Sequence, residues 1–327
     1  MPDIIFIVGQ TAVGKSAVAI ELARKIGAEI LSADSMQIYR GLDILSAKPS
    51  PAERQAIPHH LIDIADPRER FDVARYVRLA REAVANIRGH GRVPVVGGGS
   101  GMYVRALLDG IFTGPGRDAV LRDRLEREVA EEGLAPLYER LKEVDPGAAA
   151  RIHPNDRKRI IRALEVFEVS GKNISSQQGE WRGEGRVGDA GVFFSRNLGC
   201  EIIMIGMRRE KESLRRRIEE RVERMCAGGA LEEVRALLGA GIDPHATIWQ
   251  SLGIKELRAH IEGDCSLAEA MEALKKNTMA FAKRQMTWFG RDPRIQWLDI
   301  QEGQTPDTTA EKIMYLLARD GTRTTED

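Results

Sequence analysis

The sequence predicts an α/β fold, a parallel sheet core interrupted by an all-helical insertion, on three observations. Short apolar runs alternate with longer amphipathic ones through the first part of the chain, the rhythm of strands joined by crossover helices. The first run, Ile4-Ile5-Phe6-Ile7-Val8, leads straight into a glycine-rich loop that opens a helix. From Asp118 to Ser170 the texture changes to charge-rich helix without a strand candidate.

In chain order, Ile4 to Val8 is a strand and Lys15 to Ile26 the helix after it. Glu29 to Ala33 is a second strand. Phe71 to Arg88 carries Val73, Val77, Ala80, Val84 and Ile87 at helical spacing. Arg92 to Gly97 is a third strand, its unbroken apolarity implying burial on both faces. Gly101 to Leu108 starts another helix. Beyond the turn Thr113-Gly114-Pro115-Gly116 and the helical stretch, Asn173 to Asn197 is polar and glycine-rich, expected as a mobile loop. Glu201 to Met207 returns to strand character and Glu210 to Ala240 to helix. Ala310 to Leu317 is a last helix before a polar tail, Thr322 to Asp327, expected to be disordered. The chain thus reads as a core at residues 1–114 and 199–312, an insertion at 115–198, and a helix end with flexible tail at 313–327.

A chain of 327 residues suffices for such a core and insertion. No apolar run approaches the ~20 residues that span a bilayer, and Ile4 to Val8 is too short for a secretory leader. Cys200, Cys226 and Cys265 are odd in number and widely spaced, without metal-ligand pairing, so a reduced cytoplasmic compartment is expected. Basic and acidic residues balance at 49 each, which argues against holding nucleic acid by overall charge alone and leaves a local basic groove open. Nothing demands a dimer, and a monomer is expected.

Gly9-Gln10-Thr11-Ala12-Val13-Gly14-Lys15-Ser16 fits GxxxxGK[ST], between a strand and a helix as that motif requires. The core is therefore expected to be P-loop NTPase-like. Gly9 and Gly14 let the backbone curl so that successive N–H groups face an anion, and the helix N-terminus adds partial positive charge. Lys15 would reach an outer phosphate and the Ser16 hydroxyl a Mg²⁺ ion. The motif says phosphate without saying which phosphate. An ordinary nucleotidase would end a strand in an acid that helps hold the metal. Here Val93-Pro94-Val95-Val96 runs into Gly97-Gly98-Gly99-Ser100-Gly101, and Asp63, between Pro58 and Pro67, is the substitute candidate. No NKxD-like segment reads guanine. A glycine turn after a buried strand lets another backbone approach closely.

The second strand ends in Asp34. Ligands of open α/β sheets lie outside the carboxyl ends of the strands, which puts Asp34 near the phosphates. Capping the following turn is an equally good role for it on position alone.

Asp34-Ser35-Met36-Gln37-Ile38-Tyr39-Arg40-Gly41-Leu42-Asp43-Ile44, with Ser46-Ala47-Lys48-Pro49 behind it, resembles the signature of the tRNA dimethylallyltransferases, or tRNA isopentenyltransferases, of bacterial type. Further blocks resemble that family in order. They are His59-His60-Leu61-Ile62-Asp63, Gly98-Gly99-Ser100-Gly101-Met102-Tyr103, and Asp145-Pro146 with Arg151 to Asp156 and Arg162 to Val166. Arg217 to Val222, Gly253-Ile254-Lys255-Glu256 and Ala282 to Phe289 complete the series. Departures are Leu45-Ser46 for the common Gly-Thr, Ile254 for tyrosine, and Met279 and Gly290 where arginine is usual.

The resemblance implies transfer of a dimethylallyl group from dimethylallyl diphosphate to N6 of the adenosine at tRNA position 37. The phosphate loop, Gly9 to Ser16, would then cradle a leaving diphosphate, with Lys15 and Mg²⁺ on Ser16 offsetting its charge. Asp34 becomes the candidate general base. Arg217 or Arg221 would add charge to the diphosphate site, or else be a solvated helix face. The adenine must leave its stack to react. Asp34, Ser35, Met36 and Gln37 would meet it, Gln37 pairing with its edge, and Ser100 would bond the same nucleotide. Arg157, Lys158, Arg159, Arg162, Lys283 and Arg284 would track tRNA phosphates, although without the resemblance such runs read as solvated faces. The insertion would grip the anticodon stem-loop. Rival readings are an ATP-dependent kinase or ATPase, a prenyltransferase of free adenine nucleotides, and a non-catalytic tRNA-binding module.

Overall fold

The computed structural model describes residues 1–110, 114–116, 118–179, 200–244 and 246–323. By contacts the chain forms two compact units, residues 1–108 with 194–327, and residues 109–193.

The larger unit is built on a wholly parallel sheet. Its strands are β1 (Ile4–Gly9), β2 (Glu29–Ser32), β3 (His59–His60), β4 (Pro94–Gly97), β5 (Ile202–Arg208) and β6 (Ile295–Asp299), in the order β3-β2-β4-β1-β5-β6. β1 lies between β4 and β5 and is buried along its whole length, as its unbroken apolarity requires. Both of its neighbours are distant in sequence: Ile5 pairs with Val95, and Ile4 to Gly9 pair in register with Ile202 to Met207. Against one face pack α1 (Lys15–Ile26) and the C-terminal helix Pro306–Arg323, sharing a core of Val18, Leu22, Ile30, Val95, Ile205 and Ile313.

Two strands escape the sequence pattern. β3 has only two residues, both half-buried, and β6 is an edge strand whose Gln296 and Asp299 are exposed. The helix expected over Glu210 to Ala240 is two helices, Lys211–Ala227 and Ala230–Gly239. The break falls at Gly228-Gly229, where Gly229 turns the chain at φ 101°. The segment expected as a loop from Asn173 begins with a helix, Ile174–Gly179, and its remainder lies outside the described residues, as does most of the expected tail.

β2 delivers the chain to Asp34, and its end is firmly held. Beyond a short helix, α2 (Pro51–Ala56), Tyr76 in α3 (Val73–Gly89) donates its hydroxyl to the Ser32 carbonyl at 3.2 Å. Its ring stacks on Tyr103 of α4 (Gly101–Asp109) with centroids 4.0 Å apart.

All the described secondary structure of the smaller unit is helical: α5 (Ala119–Glu132), α6 (Ala135–Val144), α7 (Pro146–Ala149) and α8 (Arg157–Ser170) pack Leu125, Leu137, Leu141, Ile160 and Leu164 together. Asp145, almost fully buried, caps α7 through Ala148 N–H and binds both the N–H and the hydroxyl of Ser175.

Candidate active site

The loop Gly9 to Ser16 joins β1 to α1. Gly9 takes φ 134°, and a Cβ there would sit 2.1 Å from the Met207 carbonyl oxygen, so only glycine fits beside β5. Gly14 is the N-cap of α1 at φ 110°, with no side-chain cap on the first helical turn and no acid within it. This leaves the first-turn N–H groups able to hold an anion. Lys15 folds back to donate to the Gln10 carbonyl at 2.5 Å. Burial of its amine, opposed by the Asp34 carboxylate and reinforced by Arg221, brings its pKa down to about 7.

A cavity of about 410 Å³ opens over this loop. Its charged lining is Lys15, Arg217, Arg221 and Arg224 against the single carboxylate of Asp34. That excess of positive charge suits a multiply charged phosphate. Arg221 is half-buried, and the loss of water around its guanidinium lowers its pKa while Asp34 opposes the shift. Arg217 donates Nε–H to the Ala12 carbonyl at 2.9 Å, bracing the phosphate loop.

A second cavity, of about 320 Å³, adjoins the first; both are lined by Thr11, Asp34, Gly99, Arg221 and Phe281. The second alone includes Ser35, Met36, Ser100, Ser251 and Arg284. Asp34 therefore stands where the two spaces meet. Its Oδ1 accepts from Met36 N–H at 2.8 Å, so it caps its own turn and faces the ligand space at once. Ser100 Oγ accepts from Ser35 N–H at 2.9 Å and donates to Ser35 Oγ at 3.2 Å.

The glycine turn after β4 has its own explanation. A Cβ on Gly98 would lie 2.2 Å from the Ala33 carbonyl oxygen, and Ala33 N–H donates to Gly97 while Ser100 N–H donates to Ala33. The backbone approaching this turn is the protein's own, at the end of β2. Gln285, to which the sequence alone assigns no role, joins the walls. Its Oε1 accepts from Thr11 N–H at 2.7 Å and its Nε2 donates to Gly99 at 2.9 Å.

Other expected site residues are engaged differently. The Gln37 amide is held inside the protein, its Oε1 by Ser32 at 2.8 Å and its Nε2 by the Ser46 and Ala47 carbonyls, an engagement the base-reading expectation did not foresee. Asp63 is not a metal-holding acid in the cavity: it pairs at 2.6 Å with each of Lys48 and Arg54. Arg157 pairs with Glu126, Arg159 with Asp156, and Lys158 is exposed. Arg162 binds the fully buried Glu165 at 2.7 Å and the Pro115 carbonyl at 2.9 Å, so it holds the helical unit together. Lys283 and Arg284 are exposed on the helix Leu267–Phe289. Met279 packs with Leu214, Ile218 and Val222.

For a metal, Ser16 and Asp34 offer hard oxygen donors along one cavity, and the described residues contain no cluster of three or more His, Cys, Asp or Glu. Such a set fits Mg²⁺, which keeps waters and takes its remaining oxygens from a phosphate ligand.

Fold and site define an α/β protein of the P-loop kind, with a second cavity set against the first. Residues 37–292 match the IPP transferase family, and the chain belongs to that family. It is 46% identical over 299 residues to the tRNA dimethylallyltransferase of Syntrophobacter fumaroxidans, covering 91% of this chain and 84% of that one. To the enzyme of that name from Geobacter metallireducens it is 47% identical over 296 residues, covering 90% and 92%. Among solved structures, the full-length tRNA isopentenylpyrophosphate transferase of Bacillus halodurans matches with TM-score 0.67 and 35% identity over 97% of this chain and 96% of that one. A eukaryotic dimethylallyltransferase acting on tRNA matches with TM-score 0.79 and 26% identity over 99% and 80%.

Proposed function

We propose that the protein transfers the dimethylallyl group of dimethylallyl diphosphate to N6 of the adenosine at tRNA position 37, giving N6-(dimethylallyl)adenosine and diphosphate. The observation that carries the mechanism is the meeting of two cavities at Asp34 and Arg221, one floored by the phosphate loop. The loop N–H groups, Lys15 and Arg221 hold the diphosphate, with Arg217 bracing the loop at Ala12. The adenosine, extruded from its stack, enters the second cavity beside Ser35, Met36 and Ser100. The N6 lone pair attacks the allylic carbon; the carbon–oxygen bond breaks, and its electron pair leaves on the diphosphate. Asp34 takes the N6 proton, its Oδ1 held by Met36 so that Oδ2 receives it. Mg²⁺ at Ser16, when bound, supplies further charge to the departing diphosphate.

The helical unit offers Lys158, with Arg157 and Arg159, to the anticodon stem, and Lys283 and Arg284 meet the loop's phosphates. Because the acceptor is tRNA, the cytoplasm is the place of action. None of the described helices is long and apolar enough to cross a membrane.

Incubation with Mg²⁺, unmodified tRNA and radiolabelled dimethylallyl diphosphate, beside Asp34→Asn and a parallel γ-labelled ATP reaction, tests the reading. Label on tRNA adenosine, reduced on the order of 10²–10⁴-fold in the variant, supports both reaction and base. Hydrolysis of ATP without labelled tRNA replaces this reading with the kinase one.

A further inference from the structure

Trp288 stands outside the mechanism above. The helix Leu267–Phe289 buries one stripe, Leu274, Thr278, Ala282, Gln285 and Phe289. A second stripe on the same helix, Phe281, Arg284 and Trp288, follows the three- and four-residue steps that align side chains on one face. Phe281 lines both cavities and Arg284 the second, so Trp288 continues that track outward.

The indole is 42% exposed, unusual for a ring of its size. It lies against Gly101, where a Cβ would come within 2.7 Å of the ring. Gly101 directly follows Ser100, a wall of the second cavity. Met102, which follows Gly101 in the chain, is 57% exposed, and the Arg105 guanidinium stands 5.7 Å from the ring centre. Arg284 is placed likewise at 5.7 Å from the Phe281 ring. Two rings, each attended by an arginine, thus lead from Asp34 to the surface. Flat rings interleaved with cations are how proteins hold unpaired nucleotides, stacking on the base and meeting its phosphate.

We propose that Trp288, packed on Gly101 with Arg105 over its ring, is a stacking platform for the base of a nucleotide adjoining the extruded adenosine. This rests on the reading of the second cavity as the site of an RNA adenosine. Extruding one base leaves the adjoining base with a bare face, and the indole beside the cavity mouth covers it. The platform supplies affinity and register for the RNA and has no part in holding the donor.

The test uses the full-length protein, a synthetic unmodified anticodon stem-loop, and versions of it abasic at the position on either side of the target adenosine. Trp288→Ala is expected to raise KM for the stem-loop about tenfold or more, leaving KM for dimethylallyl diphosphate unchanged. Trp288→Phe should restore most of the loss and Trp288→Leu little of it. With one of the abasic stem-loops the wild-type protein should lose the same factor, and Trp288→Ala should lose nothing more. An unchanged RNA KM in Trp288→Ala, a leucine as good as phenylalanine, or equal further loss on both abasic substrates overturns the proposal. Thermal unfolding and the donor KM show whether each variant is folded. If Trp288→Ala does not fold, the comparison of phenylalanine with leucine decides. Should the wild-type protein transfer no prenyl group at all, the reaction assignment fails by itself. Fluorescence anisotropy of the labelled stem-loop then decides the platform: weaker binding in Trp288→Ala supports it, and unchanged binding overturns it.

Discussion

Lys15 is the residue whose chemistry is most exposed to measurement. With its pKa near 7 in the ligand-free protein, a growing share of the molecules lacks its charge as pH rises above 7. A bound diphosphate stabilises the ammonium and raises that pKa, so binding above pH 7 takes up a proton and weakens as pH rises. The kcat/KM for the donor should therefore fall towards about tenfold per pH unit on the alkaline side. Calorimetry of inorganic pyrophosphate binding in two buffers should show the proton uptake. Lys15→Arg, always charged, should remove both effects. The phosphate loop itself was legible because GxxxxGK[ST] encodes a geometry, and Asp34 because a strand end is a fixed place in an α/β sheet. The fate of the Gln37 amide was not, because its partners are the Ser32 hydroxyl and the carbonyls of a turn whose path no local pattern encodes. Nor could sequence divide the labour of Arg217 and Arg221, one turn apart on one helix. Burial beside Asp34 distinguishes Arg221, and a bond to Ala12 distinguishes Arg217.

Among elements, the instructive one is the helix Leu267–Phe289, which reaches the phosphate loop and the glycine turn through one amide. Gln285→Leu leaves Thr11 N–H and the Gly99 carbonyl without their partner, each costing about 1–3 kcal/mol where water cannot replace it. Urea unfolding should register the loss, and KM for the donor should rise with it. Gln285→Glu keeps an acceptor for Thr11 but turns an oxygen towards the Gly99 carbonyl, and should recover only part. The glycine turn makes a harder prediction. Gly98→Ala drives a methyl into the Ala33 carbonyl, so β2 and β4 must separate at the end that holds Asp34. Thermal unfolding should fall and prenyl transfer should be lost together. Short apolar runs mark β1, β2, β4 and β5 in the sequence with ends within two residues. β3 and β6 escaped because an edge strand half open to solvent carries little apolar signal.

For the whole molecule, an equal count of positive and negative charges conceals a division of labour. Some basic residues hold protein, others offer charge outward. Arg162 belongs to the first kind and Lys158 to the second, although both lie in one helix and one sequence block. Arg162→Gln should lower unfolding stability by about 1–3 kcal/mol, since Glu165 keeps Arg122 but loses a partner in a fully buried place. Lys158→Glu should leave the unfolding temperature alone while raising KM for tRNA and flattening its dependence on salt. Sequence could identify the cluster as basic; only the neighbours of each side chain sort it.

The pairing of Ile4 with Ile202 also sets an order of events in the cell. One edge of the most buried strand stays open while everything up to β5 is being synthesised. Helices of the 109–193 unit, whose contacts are local, can settle meanwhile. A ribosome that stalls or releases the chain before residue 202 therefore leaves an apolar strand with one unpaired side, the kind of edge that recruits other chains. Chains truncated there should be found in aggregates, and full-length chains should acquire protease resistance in their first strand only once β5 has cleared the exit tunnel.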